Sequence, residues 1–225
     1  MQKTGLSIQE IEHSLSMEQQ QLLGIFVKEL LAWNKRMNLT GLSSEQRIMD
    51  ELVADSLMPA PYLPDEGSLL DVGSGAGFPA IPLKICRPAM KFFLMEPNLK
   101  KGSFLKQVIR LCGLTQIEVI RERIETPSRP LPFTRCDIIT SRAMAPLPKL
   151  IGWCTPYLTS GGMLVAFLGN RFEDILSECE PLMKEENLFV DELRPYAVKS
   201  KKPERCLLIL KKGKKPGTDN RKLHQ

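Results

Sequence analysis

Residues 68–79 read Ser68-Leu-Leu-Asp-Val-Gly-Ser-Gly-Ala-Gly-Phe-Pro79. A short apolar run ends in Asp71, glycines stand at alternate positions 73, 75 and 77, and apolar character resumes from Ala80 to Ile85. This pattern predicts a buried strand, a tight turn and the start of a helix. Glycines in such a turn permit φ > 0 and a close backbone approach, while free N–H groups at a helix start favour a polar or anionic ligand. A nucleotide-like cofactor suits both. The third glycine comes one residue too early for the dinucleotide fingerprint G-x-G-x-x-G, and the Asp71 carboxylate before the loop would repel a pyrophosphate. A cationic or amino-acid ligand fits that charge better.

The run Phe92-Phe-Leu-Met-Glu96-Pro97 predicts the next strand, and Glu96 lies 19 residues after Gly77. An acid near that spacing, at the end of the second strand, accepts from a ribose hydroxyl pair. Two strand-end carboxylates around a glycine loop suggest S-adenosyl-L-methionine. The plainer alternative for the loop alone is a generic βαβ turn with a solvated acid; Glu96 moves the balance to a cofactor site.

With 225 residues, 43% hydrophobic and 25% charged, the chain has the composition of one large globular domain. It lacks a run of 18 apolar residues, and Met1-Gln-Lys-Thr-Gly-Leu6 lacks the apolar segment of a secretory signal, so a soluble cytoplasmic protein without a membrane partner is expected. Six cysteines are scattered singly and the histidines are His13 and His224, which argues against a metal site and against a disulfide framework. The net charge of +5 is concentrated at the C-terminus, where Lys199 to Gln225 hold ten Lys or Arg against Glu204 and Asp219. Such a run is either a solvated tail or a patch that tracks nucleic-acid phosphates.

Residues 1–60 read as a helical cap belonging to the same domain. Ser16 caps a helix whose stripe is Leu22, Leu23, Ile25, Phe26, Leu30 and Leu31; Gly41 closes its exit, and a second helix spans about Ser44 to Met58. In the exit, Trp33 is expected in the core, while Asn34, Lys35, Arg36 and Asn38 are candidates to face a ligand. Beyond Glu96 the pattern predicts a helix from Asn98 to about Cys112 and a strand over Ile117–Ile120. A strand over Cys136–Thr140 ending in Ser141-Arg142-Ala143 follows, then a helix over about Leu147–Tyr157 and a strand over Met163–Leu168 introduced by Gly161-Gly162. A polar helix and a closing antiparallel hairpin complete the chain. Strands alternating with helices describe an α/β, doubly wound, mostly parallel sheet with ligands at the strand C-terminal ends. Asp71, Glu96, Arg123 and Arg142 are therefore expected in one crevice.

These residues together resemble the bacterial small-subunit ribosomal RNA guanine-N7 methyltransferase G family, also called glucose-inhibited division protein B. The resemblance is carried by Trp33-Asn-Lys35 with Asn38-Leu-Thr40, Asp71 to Pro79, Lys101 with Phe104-Leu105, Arg123-Ile-Glu125 and Ser141-Arg-Ala143. It implies a seven-stranded, Rossmann-like S-adenosylmethionine-dependent methyltransferase domain over residues 61–212, followed by a basic tail over 213–225. It implies further that Gly73, Phe78, Ile124, Glu125 and Arg142 line the cofactor site, beside Asp71, Gly75 and Glu96. Arg123 and Arg142 would then serve the reaction on small-subunit (16S) ribosomal RNA, and the protein is expected to be a monomer. Many relatives place a lysine before the glycine that ends the fifth strand; here the sequence is Leu168-Gly-Asn-Arg171, where Arg171 is the candidate substitute.

Other methyl acceptors leave marks that are missing. Cytosine C5 needs a cysteine nucleophile, and adenine amino-group methylation an Asn-Pro-Pro-Tyr-like loop after the fourth strand; Ser141-Arg-Ala143 is neither. Guanine N7 is a free lone pair, so displacement there needs alignment and electrostatics more than a general base. A bidentate arginine contact to O6 and N7 would block the nucleophile, so Arg142 is expected to hold O6, a phosphate or the cofactor carboxylate. The structural alternative is an arginine paired to Asp71 or Glu96. Two rival functions stand beside this one: a nicotinamide-dependent oxidoreductase and a non-catalytic RNA-binding module.

Overall fold

A computed structural model describes residue 10, residues 14–198 and residues 205–213. The lysine-rich turn at 199–204 and the basic tail from 214 lie outside the described residues. The described chain forms a seven-stranded sheet of β1 (Ser68–Val72), β2 (Lys91–Met95), β3 (Ile117–Ile120), β4 (Cys136–Arg142), β5 (Leu158–Leu168), β6 (Leu188–Tyr196) and β7 (Arg205–Lys212). Their spatial order is β3-β2-β1-β4-β5-β7-β6, parallel except for β7, which runs antiparallel to both neighbours. The expected α/β doubly wound, seven-stranded sheet with a closing hairpin is what the chain forms.

Period-two alternation sends neighbouring strand residues to opposite faces. Leu69, Phe92, Leu94, Ile138 and Val165 enter one buried cluster, while Leu70, Phe93, Ile139 and Leu164 enter the other. Helices cover both faces: α1 (Met17–Asn34), α4 (Ala80–Cys86) and α5 (Leu99–Leu111) on the first, α6 (Leu147–Cys154) and α7 (Phe172–Glu185) on the second. Between α1 and β1, α2 (Glu45–Ile48) passes through a π-helical turn (Met49–Val53) into α3 (Ala54–Leu57). No helix among the described residues is long and apolar enough to cross a membrane.

Several local expectations change. The buried stripe of α1 is Leu23, Phe26, Val27 and Leu30, spaced for one helical face, whereas Ile25 is exposed. Ser16 does cap it, in a reciprocal capping box with Gln19. Strand β5 begins at Leu158, so Gly161-Gly162 lies inside it. The ladder to β4 shifts register there, and a Cβ on Gly162 would stand 2.7 Å from the Asp137 carbonyl oxygen, so the glycines lie at a bulge within the strand and do not introduce it. Lys211 and Lys212 belong to β7, and Lys212 Nζ donates to the Thr155 carbonyl at 2.7 Å; they are not part of a free tail.

The exit of α1 is held by one side chain. Asn34 Oδ1 accepts from the N–H groups of Leu39 (2.8 Å) and Thr40 (3.0 Å), while its Nδ2 donates to the carbonyls of Thr40 (2.9 Å) and Leu42 (3.1 Å). All four capacities of the amide are turned on its own backbone, so Asn34 shapes the 35–42 loop and does not face a ligand. Trp33 donates to Glu29 at 2.7 Å and packs edge-on to Phe104. Replacing Asn34 by Ala strands these half-buried backbone groups and is expected to cost about 1–3 kcal/mol in urea unfolding; an unchanged midpoint would show that the loop holds itself.

Candidate active site

The glycine loop continues the sheet before it turns. Gly73 N–H and Ser74 N–H both donate to the Met95 carbonyl at the end of β2 (2.9 and 3.1 Å), and Gly77 N–H closes the turn on Ser74 (2.7 Å). Gly73, Gly75 and Gly77 have φ of +75°, +55° and +88°. A Cβ on Gly73 would approach the Met144 side chain to 2.7 Å, so both the backbone and the space require glycine.

Two cavities adjoin at this loop, over the C-terminal ends of the parallel strands. The smaller, about 440 Å³, is lined by Gly73, Gly75, Glu96, Arg123, Ile124 and Glu125, and also by Met144 and Trp153. The larger, about 570 Å³, lies between the loop and the helical cap and is lined by Thr40, Leu52, Asp55, Phe78, Phe167 and Arg205. Gly73, Gly75, Lys101, Arg142 and Ala143 line both.

Within the smaller cavity, Glu96 is held by the loop it serves. Its Oε2 accepts from Gly75 N–H and its Oε1 from Asn98 N–H, both at 2.8 Å, and each oxygen keeps a lone pair for a further donor. Arg123 is exposed at the rim and pairs locally with Glu125 at 3.4 Å. Glu96, Arg123 and Arg142 thus share a crevice as expected, but Asp71 is not part of its lining.

Asp71 lies in β1 before the loop instead, 1% exposed and paired with Thr140 of β4. Thr140 Oγ1 donates to its Oδ1 at 2.7 Å, while Oδ2 is buried without a hydrogen-bond partner. Burial raises its pKa from 3.8 to about 6, against the lowering influence of the Thr140 and Ser74 hydroxyls and of the Arg142 charge. The loop therefore lies over a carboxylate with one oxygen bonded to Thr140 and the other left without a partner.

Arg142 is the last residue of β4, and its partner is neither Asp71 nor Glu96. Its Nη1 donates to Asp55 Oδ2 at 3.0 Å, and its guanidinium lies over the Phe78 ring, 5.3 Å from the centroid. Arg205 at the start of β7 also donates to Asp55, at 2.8 Å, and the Tyr196 hydroxyl does too. Sequence reasoning missed Asp55, Tyr196 and Arg205, which come from the cap and from the final hairpin; only the sheet register brings them together. Arg171, the candidate substitute for a lysine, is exposed and pairs with Asp174, and the cation lining the larger cavity near Leu168 and Gly169 is Arg205. After Arg142 the backbone turns through Ala143 at φ +53°, a left-handed conformation uncommon for alanine and typical of constrained sites.

Residues 19–208 match the model of the family described as rRNA small subunit methyltransferase G. The chain belongs to that family. Relatives in the rRNA small subunit methyltransferase G family include the ribosomal RNA small subunit methyltransferase G proteins of Syntrophotalea carbinolica, 34% identical over 85% of this chain and 88% of that one, and of Helicobacter hepaticus, 39% identical over 78% and 91%. The methyltransferase G chain also shares its fold with M. jannaschii TYW2, solved in complex with AdoMet, at a TM-score of 0.57 and 13% identity over 76% of this chain and 77% of that one. Among the described residues of this methyltransferase G member, no group of three or more His, Cys, Asp or Glu could hold a metal ion.

Gly73→Ala is expected to retain the sheet but to reshape the loop, because the new methyl meets Met144 and the φ of +75° disfavours any Cβ. Calorimetry should show ligand binding at the smaller cavity weakened at least tenfold; wild-type affinity would mean that the loop does not form the site.

Proposed function

We propose that this protein transfers a methyl group from S-adenosyl-L-methionine to N7 of a guanine in small-subunit ribosomal RNA. The observation that carries the reading is the pair of adjoining cavities that meet at Gly73, Arg142 and Ala143, one beside the Glu96 carboxylate and one beneath the helical cap. A donor and an acceptor need two compartments with a shared wall.

The residues fit the cofactor. Gly73, at φ +75° and packed against Met144, lets the loop backbone line both cavities. Glu96 retains lone pairs for hydroxyl donors, and Ile124 offers an apolar side against a base. The buried Asp71 carboxylate, with Oδ2 unpartnered, adds negative potential near the loop that favours a cation. When bound, S-adenosylmethionine supplies a methyl group activated on a positively charged sulfur, open to direct displacement by a lone pair. Nothing in that chemistry requires the protein to remove a proton from N7.

The remaining task of the side chains is orientation. Arg142 presents a charged donor edge at the wall common to both cavities, where it suits O6 or a phosphate oxygen and leaves N7 open. Lys101 and Arg205 add positive charge around the larger cavity, which suits an RNA ligand. Arg123 at the rim is placed for RNA phosphates. The Asp71 charge disfavours a nicotinamide dinucleotide, and the donor-side compartment distinguishes this protein from a plain RNA-binding module.

Transfer of labelled methyl from S-adenosylmethionine to small-subunit rRNA tests the reading. Arg142→Ala should slow single turnover about 10²-fold while leaving cofactor affinity within a few-fold. Near wild-type turnover in that variant would remove Arg142 from the reaction.

A pH dependence follows from Asp71. Its folded pKa of about 6 lies above the ordinary 3.8, so protonation favours the free folded state, and the unfavourable contribution present above pH 6 is relieved as pH falls toward 4. The ionised form favours a bound cation, so that part of the affinity is present above pH 6 and fades as pH falls through it. Between pH 8 and pH 5, S-adenosylmethionine should lose severalfold more affinity than S-adenosylhomocysteine, which lacks the sulfonium charge. Equal losses would detach Asp71 from the cofactor charge.

A further inference from the structure

We propose that Asp55 is a positioning residue of the methyl-transfer site, fixing the plane of the Arg142 guanidinium across the cavity in which the acceptor base is held. The inference rests on the function proposed above and extends it to a residue of the helical cap.

Two constraints act on Arg142. Asp55 Oδ2 accepts from Nη1, and the guanidinium carbon lies over the Phe78 ring, 5.3 Å from its centroid. Among the described residues, Nη1 is the only guanidinium nitrogen of Arg142 with a hydrogen-bond partner, so the opposite edge remains available to a ligand. A guanidinium tied at Nη1 and lying over an aromatic ring is restricted in orientation, and the direction of its free donors is restricted with it.

Asp55 is itself held firmly. It is 1% exposed, and its Oδ1 accepts from Arg205 and from the Tyr196 hydroxyl. Burial and the Asp55 charge raise the pKa of the Tyr196 phenol well above its usual range, so the tyrosine remains a donor. The partners arrive by register. Arg142 pairs with Phe167 across β4 and β5, Phe167 with Leu207 across β5 and β7, and Tyr196 with Arg205 across β6 and β7. All three donors therefore stand at one end of the sheet, under the cap.

The local sequence around Asp55 is arranged for burial. Ala54, Asp55, Ser56 and Leu57 are all buried, which one regular amphipathic face does not provide. The π-helical turn over Met49–Val53 shifts the phase of the helix just before them, a distortion often found at functional sites. Asp55 is buried with two arginines, and Arg142, Arg205 and Lys101 all line the larger cavity. An oxygen-rich acceptor is complementary to that lining.

The test is a double-mutant cycle in the full chain, read as single-turnover methyl transfer to small-subunit rRNA at saturating cofactor and RNA. Asp55→Asn should slow transfer about tenfold or more with little change in cofactor affinity. In an Arg142→Lys background, which lacks the planar fork, the same substitution should cost less than twofold. Tyr196→Phe keeps the packing and removes only one donor to Asp55. It should fold if Asp55→Asn does not, slow transfer about threefold, and lose that effect in the Arg142→Lys background.

A second readout is independent of turnover. In ¹⁵N-labelled wild-type protein the Arg142 Nη–H groups should give resolved NMR resonances from restricted rotation, and these should broaden in Asp55→Asn and Tyr196→Phe. Additive losses of rate, or sharp Arg142 resonances in both variants, would overturn the inference while wild-type turnover preserves the functional reading. A wild-type protein that transfers no methyl group to rRNA would overturn that reading and this inference with it.

Discussion

Pairing of β1 between β2 and β4 is the constraint on which the site depends. That parallel register sets Asp71 beside Leu94 and Thr140, deep enough that one carboxylate oxygen finds no partner, and it delivers Gly73 and Ser74 to the same carbonyl of Met95. A buried charge without full compensation is expensive. Placed beneath a left-handed glycine turn, it becomes an electrostatic preference for what lies on the other side. The fold keeps its penalty small enough to survive by giving Asp71 the Thr140 hydroxyl and by letting its pKa rise.

A second dependence runs through the cap. Residues before β1 could have formed a helical lid joined to the sheet by apolar contacts alone, and α1 does pack that way through Leu23, Phe26, Val27 and Leu30. Asp55 adds a polar tie to β4, β6 and β7 at once. Breaking one partner of such a buried group leaves the others uncompensated, which makes the tie specific in geometry even where its net energy is modest. The larger cavity is walled by both parts, so its shape depends on this contact.

Much of this was legible in the chain. The glycine loop with Asp71, the spacing to Glu96, the Asn98 cap of α5 and the closing hairpin are local patterns whose chemistry is written within a few residues. What was not legible is long-range. Asp55 reads as an ordinary helical acid until the sheet register brings Arg142, Arg205 and Tyr196 to it. Asp71 reads as a pocket residue because its place at a strand end is visible in sequence while its depth is not. Asn34 offered polar groups near a site, and only the fold of residues 35–42 shows that it spends them on its own backbone. The glycine pair looked like the start of the fifth strand, whereas the strand begins at Leu158 and the pair lies at a bulge within it, close to the Asp137 backbone.

The most direct measurement is the chemical position of the methyl group. Small-subunit rRNA incubated with the protein and S-adenosylmethionine can be treated with borohydride and aniline, which cleave the chain selectively at N7-methylguanosine. The account predicts cleavage at a guanine that depends on both protein and cofactor. Methyl incorporation with no such cleavage would contradict guanine N7 as the acceptor, and no incorporation into any form of the rRNA would contradict the proposed reaction itself.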